Sequence, residues 1–394
     1  MYGECRNKKV NPVQDSYYSE SWYEATEKFR NNAERFGDEL QWCVHSGSVF
    51  STRYDIPYVL IGNGPHKVVI NSGVHGIEGF FGSAAQNMFL ADFVPNFVND
   101  YIRDNYTIAL IHVINGWGMQ NRMREVRDFA HDGALVDLNR NFGVDFSQPD
   151  KLPQNPKYDI AHDLLLSTPD EYKKKIEIKK FRAKHLHDGV WAAISNGQYK
   201  HPYGLFYGGC APMAENEMTL SIYDKIMTPD AKSLTSIGLH TGLGRFWRKV
   251  GRVTGQMLVS HPMVHKNTQF FYSLLDGTDI PVAPDENAIN GPTILGDLVD
   301  CLENRYANRN IPIRTADFEI GTGEFPKMSP IFKRMDMGDA RYDLLHYNRI
   351  NPITLEHLTE SWYPSDMGWR HDALVKTRAV YASLINDMRT GKIK

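Results

Sequence analysis

The chain has 394 residues, 42% of them hydrophobic and 23% charged, the balance of an ordinary globular protein. A formal net charge of −3 gives no electrostatic reason to expect nucleic acid or an anionic membrane as a partner, and no run reaches the roughly eighteen apolar residues that a membrane helix needs. Four widely spaced cysteines, Cys5, Cys43, Cys210 and Cys301, form no CxxC pair and fit reduced, mostly buried thiols. The N-terminal stretch MYGECRNKKVNPVQDSYYSE has no apolar signal-peptide core, so a cytoplasmic location is expected.

In chain order, residues 24–40 (EATEKFRNNAERFGDEL) predict a helix whose apolar stripe is Phe29, Ala33, Phe36 and Leu40. YDIPYVLIG reads as a strand and GNGP as a turn. KVVINSG is a β-branched buried strand, IEGFFGSAAQNMFLADF a helix, and TIALIHVIN a second buried strand. Strand, helix, strand implies an α/β fold with a mostly parallel sheet covered by helices. Residues 147–159 are proline-rich loop and 160–192 polar helix. The basic run EYKKKIEIKKFRAKHLH within that helix reads as a solvated face, since nothing else supports nucleic-acid binding. SLTSIGLHTG and IPIRTADFEIGT are two later core strands. DALVKTRAVYASLINDM places Leu374, Tyr381, Leu384, Ile385 and Met388 on one face, which predicts a closing helix packed on the sheet. With no repeat and no long linker, one domain is expected over 1–394, with a helical extension (about 1–50) and a helical and loop insertion (about 147–230).

Chemistry enters at NSGVHGIEGFFGS, residues 71–83. His75 closes a predicted strand and Glu78 opens the next helix, at the end of a parallel sheet where α/β proteins bind ligands. Three apart in a first helical turn, the two side chains can converge on one ion, while Gly73, Gly76 and Gly79 let the backbone turn and approach closely. The plain alternative is a glycine turn with a surface histidine. A second His-x-x-Glu, His357 and Glu360, lies in a glycine-free helical segment and reads as a surface pair. A catalytic zinc takes three protein ligands and keeps one open position. His240, in SIGLHTGLG, is the best third ligand, or else a satisfied core histidine. Glu319, in TADFEIGTGE, fits a general base, because a lone strand carboxylate is expensive without a task; Glu324 is the reserve candidate. In VDLNRNF, Arg140 offers a fork for a carboxylate, Asn139 an amide beside it, and Asp137 an acceptor for the far N–H of a metal-bound imidazole. A structural Asp/Arg pair is the alternative there.

Taken together, HGIE, DLNRNF, GLHTGLG and FEIGT, in that order over residues 67–323, resemble the zinc carboxypeptidase family, the clan of carboxypeptidase A, and more narrowly an uncharacterised bacterial branch of it. The resemblance implies a mixed sheet of about eight strands and one zinc ion per chain, held by His75, Glu78 and His240. It implies Glu319 as general base and acid, and Asn139 and Arg140 as holders of the free carboxylate of a peptide or small-molecule substrate. Asp137 takes the position behind the first histidine. The family also has an oxyanion-stabilising arginine before Asn-Arg. NGWGMQNRMREVRDF matches that region through Asn115 and Gly118, and Arg124 fits by position, with Arg122 and Arg127 as alternatives. The family's mobile tyrosine is not assignable, since Tyr272 and Tyr306 carry no motif. NGQYKHPYGLFYGG (196–209) is outside the digestive-enzyme pattern and is expected either to line the pocket through Tyr199, Tyr203 or Tyr207, or to be a packed surface loop. The aspartoacylase and succinylglutamate desuccinylase branch uses a similar glycine-rich turn and Asn-Arg, so an N-acyl amino acid deacylase is the near rival. A metal- and carboxylate-binding protein without turnover is the distant one. Oligomeric state is not legible in the sequence.

Overall fold

A computed structural model describes residues 15–45, 54–131, 133–166, 176–177, 180–181, 183–185, 190–249, 252–255, 257–260, 268–275, 296–324 and 330–394. The first helix, α1 (Trp22–Glu34), starts where Ser21 caps it: the Ser21 hydroxyl accepts from the Glu24 amide. It is shorter than the apolar spacing predicts. Gly37 takes a left-handed conformation (φ +51°) that ends helical geometry, and Leu40 opens a strand instead, paired antiparallel with Ile61. A helical period and a strand start thus share one apolar residue.

The strands are β1 (Leu40–His45), β2 (Ile56–Ile61), β3 (His66–Ser72), β4 (Tyr106–Ile111), β5 (Val126–Arg127), β6 (Leu135–Val136), β7 (Ser233–Lys249), β8 (Arg252–Gly255), β9 (Met257–Ser260) and β10 (Ile313–Glu324). Eight of them form one mixed sheet in the order β1-β2-β4-β3-β7-β10-β9, with β8 against the far end of β7; β5 and β6 make a separate hairpin. The four central strands β4, β3, β7 and β10 are mutually parallel, and the outer strands join antiparallel. The chain leaves β3 through the glycine turn into α2 (Gly79–Met88) and returns as β4 beside β3, which is the expected βαβ unit. Every residue of α2 is buried, so this helix lies inside the molecule rather than on its surface.

Helices α3 (Ala214–Ile226), α4 (Leu298–Tyr306), α5 (Pro352–Trp362) and α6 (Met367–Thr390) follow in order. Leu374, Tyr381, Leu384, Ile385 and Met388 of α6 are all buried. The helix is fastened by Trp369, whose indole donates to the Gly321 carbonyl on β10 at 2.8 Å. Of the cysteines described, Cys210 is exposed and Cys43 and Cys301 are partly buried, which corrects the expectation of mostly buried thiols. The basic run 171–187 lies largely outside the described residues. Among the described residues, no helix is long and apolar enough to cross a membrane.

The turn after β3 answers why glycine is needed there. Gly73 has φ +65°, a region that side chains resist. A Cβ on Gly76 would lie 2.2 Å from the Gly118 carbonyl carbon and 2.3 Å from the Met119 amide nitrogen. The neighbour is backbone, and it is held: the Gly76 and Ile77 amides donate to the Arg124 and Met123 carbonyls at 3.0 and 2.8 Å. His75 remains extended and Gly76–Glu78 makes one 3-10 turn, which brings the two side chains to the same side. Gly76→Ala is therefore expected to destabilise the protein by about 3 kcal/mol. Urea unfolding checks it, and an unchanged midpoint would show that the two segments can separate.

Candidate functional site

Three central strands deliver the cluster. His75 follows β3 by three residues, His240 lies on β7 one residue past the β3 pairing, which ends at Ser72 and Leu239, and Glu319 sits on β10 directly opposite His240. β7 does not end at His240, as the sequence suggests, but runs on to Lys249, beside β10 as far as Phe246. The Nδ1 atoms of His75 and His240 are 3.2 Å apart. Glu78 Oε1 is 3.0 Å from His75 Nδ1, and Oε2 is 3.1 Å from His240 Nδ1. Oε2 also accepts from the Thr241 amide at 3.0 Å. His75, Glu78 and His240 are all buried, and each offers a ligand atom to one shared point.

The far nitrogens also meet carboxylates. His75 Nε2 lies 3.3 Å from Asp137 Oδ1. Arg124 Nη1 donates to His75 Nδ1 at 2.9 Å, so the ring proton belongs on Nε2, facing Asp137. In that tautomer the Nδ1 lone pair turns to the cluster, and a metal bound there would take the place of the Arg124 N–H. His240 Nε2 lies 3.5 Å from Asp317 Oδ1. Asp317 escaped the reading of the sequence. Its signal was the period of two on β10, which sets Asp317 and Glu319 on one face. Its space comes from Gly238, its register partner on β7, where a Cβ would sit 2.1 Å from Asp317 Oδ1.

Of the three candidate arginines, the guanidinium of Arg124 enters the cluster. Nη1 donates to Glu78 Oε1 at 2.9 Å and Nη2 to Asp137 Oδ2 at 3.3 Å. The rings of Trp362 and Phe206 lie against it, 4.7 and 5.6 Å away. Arg122 faces Glu20 and the Phe80 ring, and Arg127 faces Asn348 and Phe129. Asn139 and Arg140 follow Asp137 in a short 3-10 turn. The Asn139 side-chain oxygen accepts from the Leu298 amide at 3.0 Å. Arg140 Nη1 and Nη2 donate to the Asn139 and Ser195 carbonyls at 2.7 and 2.5 Å. Its buried Nε has no partner among the described residues.

The 196–209 stretch closes over Arg140, but through other contacts than those expected of its tyrosines. Tyr199 donates its hydroxyl to the Arg140 carbonyl at 2.7 Å. The Tyr207 carbonyl accepts from the Asp137 amide, and Tyr203 is exposed. Phe206 supplies the ring shared by Arg124 and Arg140, each 5.6 Å from it, and it does so with φ +53°. Only the folded chain reveals that role. Tyr272 and Tyr306 pack into the apolar core. Glu324 ends β10 opposite Phe246. His357 is exposed on α5, and Glu360 accepts from the Ser365 amide, so that second His-x-x-Glu gathers no partners of the first kind.

The electrostatics follow from burial. Desolvation would raise Glu78, but His75 and His240 overcome it and hold the carboxyl far below the usual range. Asp137 is likewise held low against burial, chiefly by Arg124 and Arg140. Burial opposes a charge on His240, yet Asp317, Glu78 and Glu319 push it up to about 10. Glu319 goes the other way: burial and the Glu78 charge push it up to about 8, with His240 opposing. The carboxylates of the cluster thus favour positive charge on the His240 side of Glu78. Two imidazole nitrogens and a carboxylate, each imidazole backed by a second carboxylate, are a donor set that fits zinc.

A family model described as "Protein of unknown function (DUF2817)" matches residues 18–376, and the chain belongs to that family. No curated protein matches it. Among solved structures, bovine thrombin-activatable fibrinolysis inhibitor in complex with tick carboxypeptidase inhibitor aligns with a TM-score of 0.56 at 11% identity, covering 96% of this chain and 100% of that one. Carboxypeptidase A from Helicoverpa armigera gives 0.47 at 11% identity, covering 97% and 78%. A succinylglutamate desuccinylase/aspartoacylase from Rhodobacter sphaeroides gives 0.36 at 14% identity, covering 79% and 66%. The fold is carboxypeptidase-like: a mixed α/β sheet flanked by helices.

Asp317→Asn keeps the shape but removes the charge behind His240. Metal affinity is expected to fall by about tenfold or more, measured by competition with a chelator, while His357→Ala leaves it unchanged. Equal affinity in wild type and Asp317→Asn would show that Asp317 does not orient the ring.

Proposed function

We propose that this protein is a zinc-dependent hydrolase that cleaves an amide bond beside a free carboxylate, in the manner of a carboxypeptidase. The observation that carries the reading is the meeting of both histidine Nδ1 atoms with the two oxygens of Glu78, next to a buried Glu319 on the adjoining strand. His75, Glu78 and His240 would hold the ion. Zinc, when bound there, supplies Lewis acidity, lowering the pKa of water toward about 7 and polarising a carbonyl.

The chain's own groups do the rest. Glu319 takes the proton of the attacking water on a carboxylate oxygen and gives it to the leaving nitrogen. Its environment supports that duty, since a carboxyl raised toward neutrality both accepts and returns a proton. Arg124, held by Glu78 and Asp137 and flanked by Trp362 and Phe206, presents a fixed cation to the oxygen that gains charge. Arg140 and Asn139 hold the substrate carboxylate. The buried, unpartnered Nε of Arg140 supports this, because an anion would satisfy it. Asp137 and Asp317 keep the two imidazoles in register. The span of the family match, 18–376, supports reading the chain as one catalytic unit.

Metal analysis of protein purified without a His tag is expected to show one equivalent of zinc lost on His75→Ala. Glu319→Gln is expected to retain that zinc and lose at least about 100-fold in turnover. Near wild-type turnover in Glu319→Gln would place the base elsewhere. The substrate panel pairs C-terminal dipeptides with N-acyl amino acids, both of which offer an amide beside a carboxylate. Tight binding of either class with no turnover in the zinc-loaded protein would make it a carboxylate-binding protein and overturn the hydrolase.

A further inference from the structure

A second group of ligand-capable side chains lies on the β5–β6 hairpin. Asp128 directly follows β5, and its amide donates to the Ala134 carbonyl at 2.8 Å, closing the hairpin. Asp128 Oδ1 accepts from the Ala130 and His131 amides at 2.9 and 3.1 Å, and Oδ2 faces His131 Nδ1 at 2.9 Å. Cys210 comes from the segment after Tyr207, and its thiol is hydrogen-bonded to the Tyr207 hydroxyl. An oxygen of Asp128, a nitrogen of His131 and the sulfur of Cys210 all lie within 4.8 Å of one another.

An aspartate that caps a hairpin and holds a histidine is ordinary by itself. The thiol beside both is not, and neither is Glu215, on the first turn of α3. Glu215 is 2% exposed, and its Oε2 has no hydrogen-bond partner among the described residues. Burial pushes its carboxyl up to about 7, and the charge of Asp128 adds to the effect. Among the described residues, the His131 ring is the side chain that pairs with Asp128, and no Lys or Arg pairs with Glu215. Asp128 and Glu215 are each nine-tenths or more buried, and among the described residues neither is paired with a lysine or arginine.

We infer that Asp128, His131 and Cys210 form a second metal site, separate from the reaction centre. One imidazole, one thiolate and one carboxylate suit zinc or a similar borderline divalent ion and not magnesium or calcium, which prefer all-oxygen shells. Around a tetrahedral ion such ligand atoms stand roughly 3.3–3.6 Å apart. From the 4.8 Å limit the cluster needs a contraction of roughly 1.2–1.5 Å at most, and His131 and Cys210 are exposed enough to make it.

The consequence is mechanical. The ion would fasten the hairpin to the 207–210 segment. Arg124 lies two residues before β5, Asp137 immediately follows β6, and Phe206 leads into the 207–210 segment. All three meet at the cluster of His75 and Glu78. Loading the second site would therefore hold those groups in place without touching a substrate.

Cobalt(II) reports a thiolate ligand directly, through sulfur-to-metal charge-transfer absorption that a site of histidine and glutamate cannot give. In the full-length protein saturated with cobalt, we expect this absorption and one metal equivalent beyond that of the His75 site. His75→Ala should keep the absorption, since its own site has no sulfur. Cys210→Ser should lose it together with one equivalent, and His131→Ala should lose the same equivalent while keeping a wild-type circular dichroism spectrum. No charge-transfer absorption in the wild type, or one that persists in Cys210→Ser, overturns the inference whatever the His75 site binds.

Discussion

The constraint on which this structure depends is that many charges are held out of water in one place. Glu78, Asp137, Arg124, Arg140, His75 and His240 are all buried, and each must be neutralised by its neighbours or remain uncharged. The solution is a chain of opposites. Asp137 faces the far side of His75, Asp317 faces the far side of His240, and both near sides turn to Glu78. Arg124 bridges Glu78 to Asp137. Removing any one partner leaves a buried charge uncompensated. The cluster is therefore determined as a unit, and the fold must deliver its members together.

A parallel sheet can meet that requirement because its strands end side by side. β3, β7 and β10 run together, so His75 in the turn after the first, His240 on the next and Glu319 opposite it on the third come to one end of the sheet. The pleat does the finer work. Residues two apart share a face, so Asp317 and Glu319 both flank His240 on β10, one behind the ring and one beside it. Gly238 makes this possible by giving its side-chain volume to the Asp317 carboxylate. The same logic holds at the turn, where Gly76 lets its backbone touch that of Gly118 and Met119.

The parts of this plan written in local sequence could be read from it. β3, α2 and β4 announce themselves by β-branched runs around a glycine turn, and they form the expected unit. His75 and Glu78 stood out from His357 and Glu360, which have the same spacing, because of their place between strand and helix. What could not be read depends on register or on distant chain segments. β1 hid in the apolar stripe of the preceding helix, because Leu40 satisfies either period until Gly37 breaks the first. Asp317 acquires a meaning only when Gly238 is seen opposite it. Phe206 reaches the two arginines through a left-handed backbone that no spacing pattern reports. Cys210 and Asp128 are brought together by a segment that crosses the hairpin from far along the chain.

Arg140 is held differently from the charged centre. Its backbone belongs to the turn after Asp137, but what surrounds it comes from elsewhere. The Tyr199 hydroxyl binds its carbonyl, the Ser195 carbonyl takes its Nη2, and Phe206 covers its face. Beside it, the Leu298 amide at the start of α4 holds the side-chain oxygen of Asn139. None of these partners is on the sheet. The groups that converge on His75 and His240 are set by strand register, which admits little change without loss of the whole unit. The groups around Arg140 are set by connecting segments, and these can change in length and sequence while the sheet stays as it is. Under the proposed function, chemistry and substrate choice would thus be carried by different parts of the chain. Under that function, residues 195–209 and the entry to α4 could alter what the site accepts while the charged centre stays untouched.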